Sequence, residues 1–483
     1  MRKISILATL LLVSASLFAK VTLPPVIGDN MVLQQNTSAA LFGKAEPGKT
    51  VTVKTSWNKK KVSTVSDAQT GRWLVRVETP SAGGPYEITI SDGEKITLKD
   101  VLIGEVWFAS GQSNMEMPVK GYGSQPAKDG TKYIIGARAS RPIRYCHIKR
   151  QSSVSVMDEC EGKWEKHTPN AVANASATAY FFAETLQGAL DIPVGIIESS
   201  WGGSTIEAWI SQEVISKDYP EFDLGHLDGS KPVKHKYHQP CLLFNGQVAP
   251  LIPFTFKGMI WYQGESNRDR PDQYVKLQRS YVQMMRDCFQ VPEAPFYCVQ
   301  IAPYPYDNER KTHSGYFCEA QQKSVEGIKN AGYVTTVDIG EYGTIHPCRK
   351  QEVGQRLALL ALHNDYGMDA IDAVAPKYKI VEFREGKGYV RMDVGGLGLS
   401  PMGADLSGFE IAGPDRKFVP AKARRDSKKG DVVVVWSSDV PEPVAIRYCW
   451  RNWSVGNLYN NFGIPAGPFR TDDWPLNEKD WLD

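Results

Sequence analysis

Val106-Trp107-Phe108-Ala109-Ser110-Gly111-Gln112-Ser113-Asn114 decides the fold class. An apolar run of strand length ends at a glycine, and a polar turn carrying one serine follows. An uninterrupted apolar run fits a strand buried on both faces, as in a parallel sheet covered by helices. Working outward, the segments 102–109, 194–199, 258–262, 296–301 and 334–338 read as short buried strands. Helical patterns at 171–190, 272–289 and 347–363 alternate with them. In the second of these, Tyr274, Leu277, Tyr281, Met284 and Met285 fall near one face, a stripe best read as core packing. Strand–helix alternation of this kind predicts an α/β unit over residues 100–368.

The flanks differ. Residues 20–99 contain alternating strands such as Thr50-Val51-Thr52-Val53 and Tyr86-Glu87-Ile88-Thr89-Ile90, punctuated by Pro47-Gly48, Gly71 and Gly83-Gly84-Pro85. That pattern predicts a small β-rich domain. Residues 369–483 are β-rich again, with Val432-Val433-Val434-Val435-Trp436 and Val444-Ala445-Ile446-Arg447-Tyr448. Composition leaves open whether the two flanks are separate or packed together.

Residues 1–19 read as a signal peptide. Met1-Arg2-Lys3 is a basic start, 4–18 is apolar, and Ala19 suits cleavage. The run is shorter than the roughly 20 residues a membrane span needs. No cysteine follows Ala19, so a lipid anchor is not expected, and the reading is a periplasmic or secreted protein with no membrane span. Removing Arg2 and Lys3 takes the basic count from 56 to 54, equal to the 54 acidic residues. A neutral chain without a basic stripe is a poor nucleic-acid partner. The eight cysteines show no C-x-x-C spacing, so no zinc site is expected. Export permits disulfides, but spacing does not pair them.

Open α/β sheets bind ligands beyond the carboxyl ends of their strands. Four motifs sit there: Gly111-Gln112-Ser113-Asn114, Ser199-Ser200-Trp201-Gly202-Gly203, Gln263-Gly264-Glu265-Ser266-Asn267, and the stretch from Asp338 to His346. Ser113 is the candidate nucleophile; Gly111 allows the turn, and nearby backbone N–H groups suit an oxyanion. This is not the G-x-S-x-G elbow. His346 is the candidate base, and Pro347 predicts a helix beginning directly after it. Gly202-Gly203 offers a main-chain donor, Gln263 offers an amide donor, and Glu265 either orients a partner or holds its loop. Asn114, Glu265 and Trp201 are candidate substrate contacts. His235 and His238 read as part of a polar loop, or at most a wall of the substrate site.

These motifs, with Leu23-Pro24-Pro25-Val26-Ile27-Gly28-Asp29-Asn30-Met31-Val32-Leu33-Gln34, Gly104-Glu105-Val106-Trp107, Trp261-Tyr262-Gln263-Gly264-Glu265 and Trp450-Arg451-Asn452-Trp453, resemble the sialate O-acetylesterases of the SGNH-hydrolase superfamily. The resemblance implies a flavodoxin-like α/β/α catalytic domain flanked by β-rich, sandwich- or jelly-roll-like segments. It implies removal of O-acetyl groups from sialic acids without a metal or other cofactor. It maps Ser113 to the nucleophile, His346 to the base and Gly203 to the oxyanion glycine. Gln263 or Glu265 stands where the superfamily places an asparagine, and Gln263 is the favoured donor. The superfamily often carries an aspartate three residues before the histidine; here that residue is Gly343. The third member is therefore Asp338 or Glu341, or the site is a Ser–His dyad.

Two other readings compete. One is a deacetylase of xylan or another polysaccharide. The other is a carbohydrate-binding protein whose serine is vestigial. Sialic acid carries a carboxylate that an arginine would suit; Arg144, Arg268 and Arg349 are the candidates, each a solvated surface residue by default.

Overall fold

The computed structural model describes residues 21–475 apart from residue 397. The leader expected at 1–19 lies outside the described residues.

The molecule is organised around one long strand, Lys95–Gly111. From Val101 onward every residue of it is buried, which is what an apolar run without polar alternation requires. This half lies between the parallel strands Val194–Ser200 and Gly258–Tyr262. The sheet continues through Ile143–Ile148 on one side and through Phe296–Val299 and Ala331–Val334 on the other, all parallel. Gly162–Lys166 closes one edge antiparallel. Alternate residues of the central strand face opposite cores: Val106 and Phe108 pack with helices Pro271–Phe289 and His313–Val325, whereas Trp107 and Ala109 pack with helices Ala177–Leu190 and Lys350–Tyr366. The α/β region is thus a sheet between two helical layers.

The expected boundary at residue 99 falls inside this strand. Its amino half pairs antiparallel with Gly83–Ser91 and its middle pairs parallel with Val32–Gln34, so the N-terminal β region and the central sheet share one backbone ribbon. A single core runs from Val21 to Val325. The C-terminal strands form their own sheets around a further core that includes Val337. That region is fastened to the loop after Phe296–Val299 through Asn452. Its Oδ1 accepts from the Ser314 amide and hydroxyl, its Nδ2 donates to Asn308 O, and its N–H donates to Lys311 O.

Four details depart from expectation. The last parallel strand is Ala331–Val334 rather than 334–338, because Thr336 turns its hydroxyl onto Gln300 O as the chain leaves the sheet. The helix after His346 begins at Lys350, not at Pro347. The stretch 171–190 is two helices, Pro169–Asn174 and Ala177–Leu190, because Ala175 is extended and Ser176 caps the second by accepting from Ala179 N. Strands Ile143–Ile148 and Gly162–Lys166 were not anticipated.

Gly354 sets how closely two helices approach behind the site. A Cβ there would meet Phe181 Cβ and Thr178 O at 2.6 Å. Helix propensity alone would make Gly354→Ala stabilising by roughly 1 kcal/mol. The clash is with backbone and a core side chain, so a net loss of about 1–3 kcal/mol is expected from overpacking. Urea unfolding monitored by tryptophan fluorescence checks the sign.

Candidate active site

The carboxyl edge of the sheet collects the predicted motifs. Gly111 ends the central strand at φ 144°, and the short helix Ser113–Glu116 starts two residues later. A side chain at Gly111 would place its Cβ 2.2 Å from Tyr262 O. Only glycine allows the chain to turn this close to its neighbour, and Gln112 N then donates to the same carbonyl at 2.9 Å.

The turn delivers the Ser113 hydroxyl to His346, with Oγ and Nε2 2.8 Å apart. The two residues are 233 positions apart in the chain. The ring is also seated edge-on against Tyr122, with centroids 5.3 Å apart, and Tyr122 donates its hydroxyl to Ser113 O at 3.0 Å. Both side chains are half-buried.

The other face of the imidazole meets an amide. His346 Nδ1 lies 2.6 Å from Gln125 Oε1, so Nδ1 donates and Nε2 is left free to accept the serine proton. Neither acid considered as third member touches the ring. Asp338 is buried in a two-pronged pair with Arg356, at 2.8 and 2.6 Å, which ties the loop to helix Lys350–Tyr366. Glu341 accepts from Cys348 N at 2.6 Å and braces the same loop. Without a carboxylate against it, the imidazole has nothing to favour its charged form. Burial, and secondarily the positive charge of Lys350, bring His346 down to about 4.

Two main-chain donors near the hydroxyl have no acceptor among the described residues: Ser113 N and Gly203 N. The Gly202 turn abuts the serine, since a Cβ at Gly202 would lie 3.4 Å from Ser113 Cβ. Glu116 holds that turn by accepting from Gly202 N at 2.9 Å, and Glu116 is in turn paired with Arg150. Gly203 has φ 77°, and its carbonyl accepts from His238 Nε2 at 2.8 Å and Ser266 Oγ at 2.9 Å. His238, exposed in its polar loop, thus also braces the glycine turn.

Gln263 does not serve as expected. It is fully buried, and its amide nitrogen is spent on Ser204 O at 3.0 Å and Asn267 Oδ1 at 2.7 Å. Asn114 and Glu265, expected at the substrate, instead bond each other beneath the site, with Nδ2 to Oε1 at 2.7 Å. Trp201 is half-buried, with Arg150 5.8 Å from its ring.

Of the three arginine candidates, Arg144 and Arg268 are enclosed, whereas the Arg349 side chain is 37 % exposed. Arg144 is 5 % exposed, pairs with Asp100, and sits at the amino end of its strand, the edge opposite Ser113. Arg349 is bound to Glu352 and to Asp338 O. Arg268 is 11 % exposed and stacks on Tyr306 at 3.8 Å. Arg150, which no motif flagged, has a side chain 51 % exposed beside the glycine turn.

Residues 103–363 match the family described as carbohydrate esterase, sialic acid-specific acetylesterase. Curated relatives include the sialate O-acetylesterase of Homo sapiens, 28 % identical and aligned over 92 % of this chain and 91 % of that protein. The sialate O-acetylesterase of Mus musculus is 26 % identical, over 92 % of this chain and 93 % of that one. Among solved structures, a carbohydrate acetylesterase from Xanthomonas citri superposes with a TM-score of 0.83 at 34 % identity, covering 94 % of this chain and all of that one.

The depressed imidazole predicts an unusual acid limit. The base is neutral, and competent, above its pKa, so kcat/KM on a neutral aryl acetate should hold down to about pH 4–5 rather than fall near 6.5. Gln125→Glu places an anion against Nδ1 and should move that limb upward by about 1–3 pH units. A pH–rate profile of both enzymes reads the difference.

Proposed function

The chain belongs to the sialic acid-specific acetylesterase family of carbohydrate esterases, and from that membership we propose that it is a sialate O-acetylesterase working through an acetyl-serine intermediate. The observation that carries the mechanism is the 2.8 Å contact between Ser113 Oγ and His346 Nε2. The curated relatives carry the substrate.

In this scheme Ser113 Oγ attacks the acetyl carbonyl carbon and its proton passes to His346 Nε2. The oxyanion is held by the N–H groups of Ser113 and Gly203; Gln263 has no free amide to add. Each such donor is worth about 3 kcal/mol at the transition state. The tetrahedral species collapses by breaking the bond to the sugar oxygen, which leaves with the proton from His346. Water then adds to the acetyl-serine through the same base, releasing acetate and restoring the hydroxyl. Gln125 holds the imidazole tautomer throughout, so the pair works as a dyad oriented by an amide. An ester leaving group asks less of a third member than an amide does.

The α/β region up to about residue 368 is read as a flavodoxin-like SGNH hydrolase, continuous with the N-terminal β region through the strand Lys95–Gly111, with 369–483 as a β-rich flank. The basic and apolar start of the sequence supports export, with cleavage near Ala19, to the periplasm or beyond.

A broader carbohydrate specificity is the second reading, and one observation favours it: the 34 % identical Xanthomonas citri protein is a carbohydrate acetylesterase. The two readings divide at Arg150. A cation beside the glycine turn would suit a sialate carboxylate, and Arg150, paired with Glu116 but 51 % exposed, is placed to supply it.

Ser113→Ala should abolish acetate release from both an aryl acetate and O-acetylated sialic acid, with the near-UV circular dichroism unchanged; turnover near wild type would reject the scheme. Arg150→Gln should raise KM for O-acetylated sialic acid about tenfold or more while leaving KM for acetylated xylo-oligosaccharide within twofold. Equal effects on both substrates would favour the broader reading.

A further inference from the structure

Beneath the Ser113–His346 pair lies a charged network for which the acyl-transfer scheme has no use. Lys350, the first residue of helix Lys350–Tyr366, is 1 % exposed. Its ammonium donates to Asn114 Oδ1 and rests 5.5 Å from the Tyr262 ring centroid. The Asn114 amide nitrogen donates to Glu265 Oε1 at 2.7 Å and to Ile345 O at 3.1 Å. One fully buried amide, adjacent in sequence to the serine, therefore touches three things. These are the helix behind the histidine, the loop after Gly258–Tyr262, and the carbonyl of the residue preceding His346.

The direction of that amide is not free. An ammonium only donates and a carboxylate or carbonyl only accepts. With Lys350 on one side, the oxygen of Asn114 must face it and the nitrogen must face Glu265 and Ile345. Reversed, the amide would set donor against donor and acceptor against two acceptors. Burying an ammonium is costly, and an apolar side chain of similar length would fill the same space. A lysine there therefore points to a task other than packing.

We propose that Lys350 is a positioning residue: its buried ammonium locks the Asn114 amide in the one orientation that ties the Ile345 carbonyl, and with it the His346 ring, to the Ser113 turn. The inference rests on the reading of Ser113 and His346 as the reacting pair. The same cation has an electrostatic effect. It is the charged group that lowers His346, second to burial. The groups facing Lys350 from neighbouring elements are Glu265, Glu341, Cys348 and His346. Burial brings Lys350 itself down to about 7, opposed first by Glu265.

Three variants assayed on 4-nitrophenyl acetate from pH 4 to 8 test this. Lys350→Met removes both the hydrogen bond and the charge. Its kcat should fall at least tenfold with KM within twofold, and its acid limb should move up by at least half a pH unit. Lys350→Gln can still donate to Asn114 Oδ1 but carries no charge; it should recover much of kcat and keep the shifted limb. Asn114→Asp accepts from Lys350 but cannot donate to Ile345 O, and should lose kcat as Lys350→Met does. Lysine variants that match the wild type in kcat and acid limb would overturn the proposal. If Lys350→Met does not fold, Asn114→Asp decides: wild-type kcat overturns it, and reduced kcat at unchanged KM supports it. An active Ser113→Ala enzyme would instead defeat the reacting pair itself, so the two failures are distinguishable.

Discussion

Everything at the carboxyl edge of the sheet depends on a single close approach, that of Gly111 to Tyr262. Three chain segments meet there. The Gly111 carbonyl accepts from Trp201 N, the Tyr262 carbonyl accepts from Gln112 N, and the space for a Cβ at residue 111 is already taken by that carbonyl. The turn is thus set by sheet geometry, not by the serine it presents. The same junction places the glycine turn of 201–203 and the loop of 263–267 on either side of the hydroxyl. The proposed nucleophile, its main-chain donors and their bracing side chains come into register as a by-product of strand pairing.

The electrostatic design runs against the usual expectation of a carboxylate behind the histidine. Here the acids are used as fasteners. Asp338 clamps Arg356, Glu341 caps Cys348 N, and Glu116 holds Gly202 N. The histidine is left facing an uncharged amide on one side and a lysine charge nearby. A base kept neutral in this way is available over a wide acid range, but it is also a weaker base. Ester cleavage tolerates that exchange because an alkoxide is a much better leaving group than an amide nitrogen and depends less on being protonated as it departs.

The parts legible in the sequence were those whose chemistry is local. A glycine before a serine after an apolar run announces a turn at a strand end, and Gly202-Gly203 announces a main-chain donor. The proximity of Ser113 to His346 was expected from motifs gathered beyond the carboxyl ends of parallel strands, although His346 comes twelve residues after the last of them, Ala331–Val334. What escaped were roles defined by partners. The Gln263 amide is a donor on paper, yet Ser204 O and Asn267 claim it. Gln125 lies in a loop of Gly, Ser, Gln and Pro with no periodicity to mark it. Lys350 looks like any lysine at a helix start, since nothing local reports that its ammonium is enclosed. The strand Ile143–Ile148 carries Arg144 and His147 among its apolar residues, so it lacks the pure run that betrayed its neighbours. Likewise Pro347, read as the first helical residue, lies three residues ahead of the helix, because Cys348 N and Arg349 are still held by Glu341 and Asp338.

The ribbon from Lys95 to Gly111 removes any seam between periphery and centre. Its outer half is stitched to the N-terminal strands and its inner half ends at the reactive turn, with a common apolar interior beneath both. The chain from Val21 to the serine is therefore one cooperative body. Paring this hydrolase down to a minimal esterase would leave the central strand half unpaired, and damage at the rim would travel along a continuous backbone to the place where chemistry occurs.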